Sequence, residues 1–260
     1  PRAAAIDLAD DSIYVVDKLA RVQKFGPDGR HLLEWRMPDF AFGKPVGLSV
    51  GPDREVYVAD THYSRVMVYA PDGRLLRRWG REGRGDGEFL LPTDIAFDAA
   101  GLVYVAEYGD NDRIQVFNRD GKYLRQFGAF GVGPGQFMRP QSIAIAGETL
   151  YVADACNHRI AVFATDGRFL RHIGSAGRGP GQFIYPYGLC LDSRGRLLVC
   201  EFGNNRVQVI DPQTGESLAM WGRPGHAPGE LAYPWAVEVD SAGRAVVVDS
   251  GNDRIQAFRY

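Results

Sequence analysis

Five prolines, Pro45, Pro92, Pro140, Pro186 and Pro234, each stand just ahead of a short apolar run, at separations of 47, 48, 46 and 48 residues. Pro1 lies 44 residues before Pro45 and marks a first copy, so the 260-residue chain holds six. A fixed period of this length constrains the whole fold. Each copy is one supersecondary unit that buries its apolar face only by stacking on the next.

Every copy follows one grammar. An alternating run after the proline ("GLSV", "DIAFD", "SIAIA", "GLCLD", "AVEVD") leads through a turn to a β-branched run ending on an acid. These acids are Asp17, Asp60, Glu107, Asp154, Glu201 and Asp249. A loop of three to five residues then reaches an arginine opening a third run, as in "RVMVY", "RIQVF" and "RIAVF". A hairpin turn, usually "DG", precedes a fourth run such as "LLRRWG". Short runs of period-two alternation between turn residues read as half-buried strands, and "DG" between two of them reads as a hairpin. No segment sustains a 3.6-residue period, which excludes a helical architecture. Four antiparallel strands per copy of about 47 residues predict an all-β, six-bladed β-propeller. Its blades are expected at 1–44, 45–91, 92–139, 140–185, 186–233 and 234–260, forming one domain.

The glycine-rich linkers repeat as well. Gly80, Gly83 and Gly87 precede Glu88-Phe89, and the pattern returns before Gln136-Phe137, Gln182-Phe183 and Glu230-Leu231. Phe89, Phe137, Phe183 and Leu231 are expected to wedge between blades. The first linker, "RMPDFAFGK", departs from the pattern and offers Phe40 or Phe42 for that role. A phosphate-loop reading fails, because no strand–GxxxxGK[ST]–helix context exists. "YVADACNHRIAVF" at 151–163, its echoes "VAEYGDNDRIQVF" and "VCEFGNNRVQVI", and the "GPGQF" linkers resemble the NHL repeat along the whole chain. The resemblance implies a six-bladed NHL propeller. By resemblance to bacterial members it also implies an exported or membrane-tethered protein, with tethering through segments outside this sequence.

The last copy stops after "RIQAFRY", so its blade is expected to have three strands, with a segment ahead of Pro1 as the candidate to complete it. Cys156, Cys190 and Cys200 are odd in number and irregularly spaced, which is no disulfide framework; they are expected as reduced, buried side chains.

The acid–arginine pairs (Asp60 with Arg65, Asp154 with Arg159, Glu201 with Arg206, Asp249 with Arg254) recur in every copy, which points to a structural task. In copies 1 and 3 the loop between acid and arginine differs by one residue, and those two pairs are expected to be distorted.

Function has to come from what breaks the repeat. On the face shared by the linkers and the loops after the second strand, the varying positions are Val46, Thr93, Asp94, Gln141, Ser142, Tyr187 and Trp235. Tyr185 and Tyr233 precede two of the prolines, and the loops add Thr61, His62, Tyr63, Tyr108, Cys156 and Phe202. A rim rich in aromatics on blades 5 and 6, with Asp94 and Gln141 on blades 3 and 4, suits a protein, peptide or carbohydrate partner. The competing reading has these aromatics simply packing the linkers.

Other chemistries find less. The five histidines fall at different places in different copies. Peptidyl-hydroxyglycine lyases, which share the propeller, hold zinc through three convergent histidines, whereas only His62 and His158 lie on comparable loops here. "DND" at 110–112 lacks calcium-loop spacing. No metal or other cofactor is expected. Net charge is −2, with 30 basic against 32 acidic residues, which gives no global attraction for nucleic acid. The leading expectation is a non-enzymatic interaction module, acting as a subunit or domain of a larger assembly. The alternatives are a lyase or hydrolase at the channel mouth with Asp94 as base, and a binder of single-stranded RNA.

Overall fold

The computed structural model describes residues 1–41 and 44–260. Each copy forms an antiparallel meander, as alternating strands with an apolar face toward each neighbouring sheet require. Blade 1 runs Ala3–Asp7, Ser12–Val16, Arg21–Phe25, His31–Arg36, and blade 2 runs Gly47–Val50, Val56–Asp60, Arg65–Tyr69, Leu75–Trp79. Blade 3 is Leu91–Phe97, Val103–Tyr108, Arg113–Phe117, Tyr123–Phe127, and blade 4 is Pro140–Ala146, Thr149–Asp154, Arg159–Ala164, Phe169–Ile173. Blade 5 is Pro186–Leu191, Leu197–Glu201, Arg206–Ile210, Ser217–Trp221. Blade 6 has three strands, Pro234–Val239, Ala245–Asp249 and Arg254–Phe258. The first strand of each blade packs on that of the next, and blade 6 returns to blade 1, closing a six-bladed ring. Among the described residues no helix is long and apolar enough to cross a membrane.

The core is divided among the seams. Five apolar clusters each draw on two adjacent blades, from blades 1 and 2 round to blades 5 and 6. Phe89, Phe137, Phe183 and Leu231 sit in four of these seams and are fully buried, each contributing about 1.5–3 kcal/mol. The linker fits round them closely: a Cβ at Gly128, whose φ is +91°, would meet the Phe137 ring at 2.3 Å. The first linker works differently. Phe40 is exposed, lying under the Arg36 guanidinium, so it is no wedge; Met37 is buried in the seam between blades 1 and 2, and Phe42 lies outside the described residues.

The seam between blades 6 and 1 is open. Without a fourth strand on blade 6, a groove of about 710 Å³ runs between Ile13, Val15 and Phe25 on one side and Val246, Ile255 and Ala257 on the other. Elsewhere an outer-strand apolar side chain packs on the hairpin glycine of the next blade, as Trp35 does on Gly73, Trp79 on Gly121, Phe127 on Gly167 and Ile173 on Gly215. Blade 6 has no such hairpin. Tyr260 instead stacks on Trp221, with centroids 5.2 Å apart and rings at 14°.

All three cysteines are free; Cys190 lies opposite Leu198 and is buried, as is Cys200. Cys156 departs from the expectation of burial. It sits half-buried in the loop after the second strand of blade 4.

Candidate functional site

The face made by the linkers and the loops after the second strands carries two kinds of arginine. The first is repeated. The acid ending the second strand lies directly opposite the arginine opening the third: Asp60 faces Arg65, Glu107 faces Arg113, Asp154 faces Arg159, Glu201 faces Arg206 and Asp249 faces Arg254. In blade 4, Arg159 Nε donates to Asp154 at 2.8 Å, and the rest of the guanidinium donates to the carbonyls of Val132, Gly133 and Gln136 in the incoming linker. Asp154 accepts the Met138 N–H at 2.7 Å and the Asn157 amide at 2.8 Å. Arg206 and Arg254 repeat this arrangement on their own linkers. Each pair is a clamp on the linker entering its blade. Copies 1 and 3 are not distorted: Arg21 Nε is 3.0 Å from Asp17 and Arg113 Nε is 2.6 Å from Glu107. Cross-strand register holds the two ends together whatever the loop length.

The second kind of arginine is not repeated. Arg2 lies over the Trp235 ring at 4.0 Å, and its Nε is buried without a hydrogen-bond partner. Arg139 stands 5.0 Å from the Tyr108 ring centroid and 5.3 Å from that of Tyr187, with its Nε turned to Gln141 Oε1 at 3.2 Å. Among the described residues neither guanidinium has a carboxylate partner. Burial holds the Arg2 pKa below its usual range, and the charge of Arg139 pushes the same way.

Between these arginines lie the aromatics of blades 5 and 6. Tyr187 stacks on Phe202 (4.6 Å, 26°) and meets Trp235 edge-on at 4.9 Å, while Phe202 also touches Tyr233 at 5.0 Å. Tyr187 is 6% exposed and forms the floor; Tyr185 and Tyr233, 40% and 54% exposed, stand out from the face. Burial raises the Tyr187 phenol and the nearby Cys156 thiol, leaving both protonated at neutral pH. Tyr185 rests on His158 at 4.6 Å, and His158 Nδ1 accepts the Tyr185 N–H.

Three of these side chains share a backbone device. Arg139, Tyr185 and Tyr233 each precede an anchor proline and have φ of +61°, +50° and +49°. That left-handed region costs a non-glycine residue about 1–2 kcal/mol. A group from the preceding blade holds each N–H there: Asp112 for Arg139, His158 for Tyr185, Asn205 for Tyr233.

Other candidates lie elsewhere. Thr93 and Gln141 are buried, and the Thr93 hydroxyl donates to the Pro140 carbonyl at 2.7 Å. Tyr63 lies under Arg65, at the blade 2 clamp. Asp94 is inside the channel, where Oδ2 accepts from Ser142 Oγ at 2.8 Å and the Ile143 N–H at 2.9 Å. Burial raises its pKa to about 6. Glu238, which sequence reasoning passed over, also lines the channel; burial and the charge of Asp94 push its pKa well up. Its signal was an acid inside the alternating run "AVEVD". The space these residues share is about 20 Å³, room for about one water. His62 Nδ1 faces the Lys44 N–H at 3.0 Å, and among the described residues no three His, Cys, Asp or Glu are grouped to hold a metal.

Known proteins agree with this architecture. Residues 98–149 and 142–216 match DUF5128, a 6-bladed beta-propeller family, and residues 42–69 match the NHL repeat. Similar solved folds include a catalytically inactive virginiamycin B lyase from Staphylococcus aureus with quinupristin (TM-score 0.66, 17% identity, 98% of this chain and 83% of that one). Kuenenia stuttgartiensis hydrazine synthase (0.70, 14%, 100% and 95%) and the WD40 β-propeller domain of Doa1 (0.70, 14%, 98% and 77%) are similar as well. At these identities the likeness is one of fold. The class is thus a six-bladed β-propeller. Within that class, residues 42–69 carry an NHL repeat.

Proposed function

We propose that this propeller is a non-enzymatic interaction module that takes a protein or peptide partner on the linker face, over blades 4 to 6. The observation that supports it best is the left-handed backbone at Arg139, Tyr185 and Tyr233. Strain of this kind is tolerated where it sets side chains for use. Two of the three residues are among the most exposed aromatics of the chain, above a floor of Tyr187, Phe202 and Trp235. Rigid aromatics over a desolvated floor suit a peptide anchor.

A random peptide library displayed for selection on the purified protein tests this. Enriched peptides are expected to bind at least tenfold more weakly to a Tyr185→Gly/Tyr233→Gly double variant of unchanged thermal midpoint. Equal binding to both proteins, or enrichment of single-stranded RNA but no peptide in a parallel selection, would overturn the reading. A lyase or hydrolase at the channel mouth is the second reading, and its support is the fold shared with virginiamycin B lyase. Against it, the roughly 20 Å³ beside Asp94 leaves no space for a substrate next to the only base it names.

A further inference from the structure

We infer that the feature this face recognises on its ligand is a carboxylate, held by the guanidinium groups of Arg2 and Arg139 above the aromatic floor. The inference rests on the proposed interaction role and adds to it the chemistry of the group bound.

In blades 3 to 6 each acid–arginine clamp satisfies its guanidinium with a carboxylate and linker carbonyls, whereas in blade 2 Arg65 takes the carboxylates of Asp60 and Asp39. Arg2 and Arg139 break that rule at one place. Both are half-buried against rings, Arg2 Nε has no partner, and Arg139 Nε has only an amide oxygen. A guanidinium drawn out of water without an anion is costly, and its unmet donors form a fork that fits a planar carboxylate. The rings of Trp235, Tyr187 and Tyr108 fix the two forks in place through cation–π contact, so little side-chain freedom is lost on binding.

The acid that holds the Arg139 backbone does not compete. Asp112 spends an oxygen on the Arg139 backbone N–H. It does lower the local potential. Two cations beside one buried acid favour a monoanion over a dianionic phosphate. The same floor offers Tyr187, Phe202 and Trp235 to an apolar group next to that carboxylate. The recognised element is therefore an apolar residue adjoining a carboxylate, supplied by either a chain terminus or an acidic side chain.

Titration of the full chain with N-acetyl-phenylalanine and with its uncharged amide, followed by tryptophan fluorescence and NMR shifts, tests this. The acid is expected to bind at least tenfold more tightly than the amide. Arg139→Gln and Arg2→Gln are each expected to weaken the acid roughly tenfold or more and to leave the amide unchanged. Arg139→Lys, which keeps charge but loses the fork, is expected to restore only part of the affinity. Acetyl-Phe-Gly with a free terminus and acetyl-Phe-Glu-amide separate the two sources, the tighter one naming it. Equal binding of acid and amide, unchanged binding in both glutamine variants, or preference for inorganic phosphate would overturn the inference. If the acid binds as expected but no peptide is selected, only the wider interaction role fails. If selected peptides bind Arg139→Gln as tightly as the parent, only this inference fails.

Discussion

Two sets of arginines share one face of this disc, and they differ in what surrounds them. Arg113, Arg159, Arg206 and Arg254 are each met by a carboxylate and by linker carbonyls, so the protein itself satisfies them. Arg2 and Arg139 are met by ring faces instead. The first set repeats with the fold; the second occurs once. Charge count on the face thus says little about binding, whereas the pairing of each charge says a good deal.

The largest test of this contrast is to remove one member from each set. Asp154→Ala strands the Arg159 guanidinium and the Met138 N–H, and is expected to cost about 3–5 kcal/mol. At about 2–4 °C per kcal/mol for a chain of this size, the thermal midpoint should fall by roughly 6–20 °C. Arg139→Gln removes no ion pair and is expected to move stability by less than about 1 kcal/mol. Calorimetry on both variants decides the matter. A tolerated Asp154→Ala, or an equally damaging Arg139→Gln, would erase the distinction between clamp and site.

The channel sharpens the comparison with a charge of the opposite sign. Asp94 has hydrogen-bond donors but no cation beside it, and its pKa stands at about 6 against an ordinary 3.8. A raised carboxyl pKa means the folded state holds its proton longer than the unfolded chain. Its contribution is therefore fully present below about pH 4 and lost as pH climbs through about 6. A shift of this size corresponds to roughly 1–3 kcal/mol. Asp94→Asn is expected to match the parent near pH 4 and to exceed it by about that amount at pH 7–8, read from denaturant unfolding across the range. A constant difference at every pH would show that the channel does not tax the charge.

The fold was legible because its signal is redundant. The proline period, the acid before each loop and the arginine after it recur in register, and each copy corrects the next. The aromatic half of the face was legible for the converse reason, since Tyr187, Phe202, Tyr233 and Trp235 interrupt that regularity. Asp94 and Gln141 were placed on the rim and lie in the channel or buried beneath the rim, because the strand after each proline is the innermost of its blade and packs against the innermost strands of its neighbours. Arg2 and Arg139 were passed over as two more arginines in an arginine-rich chain; whether an arginine is paired is a property of space. A signal was nonetheless present. Arg139 stands at the pre-proline position that Tyr185 and Tyr233 occupy in the next two linkers.

That shared position yields the smallest effect and the cleanest separation of fold from face. Glycine adopts φ near +50° without the penalty a tyrosine bears. Tyr233 is 54% exposed, so its side chain gives up little burial when removed. Tyr233→Gly is therefore expected to leave stability within about 1 kcal/mol of the parent, on the favourable side if relief of strain exceeds the lost contact with Phe202. Tyr187→Ala, removed from the floor at the same site, is expected to cost about 3–5 kcal/mol by the usual cost of deleting a buried aromatic. Urea unfolding of the two variants side by side measures the difference. Were Tyr233→Gly to destabilise the protein as much as Tyr187→Ala, the exposed ring would be holding the linkers together, and its place on the face would be a matter of packing alone.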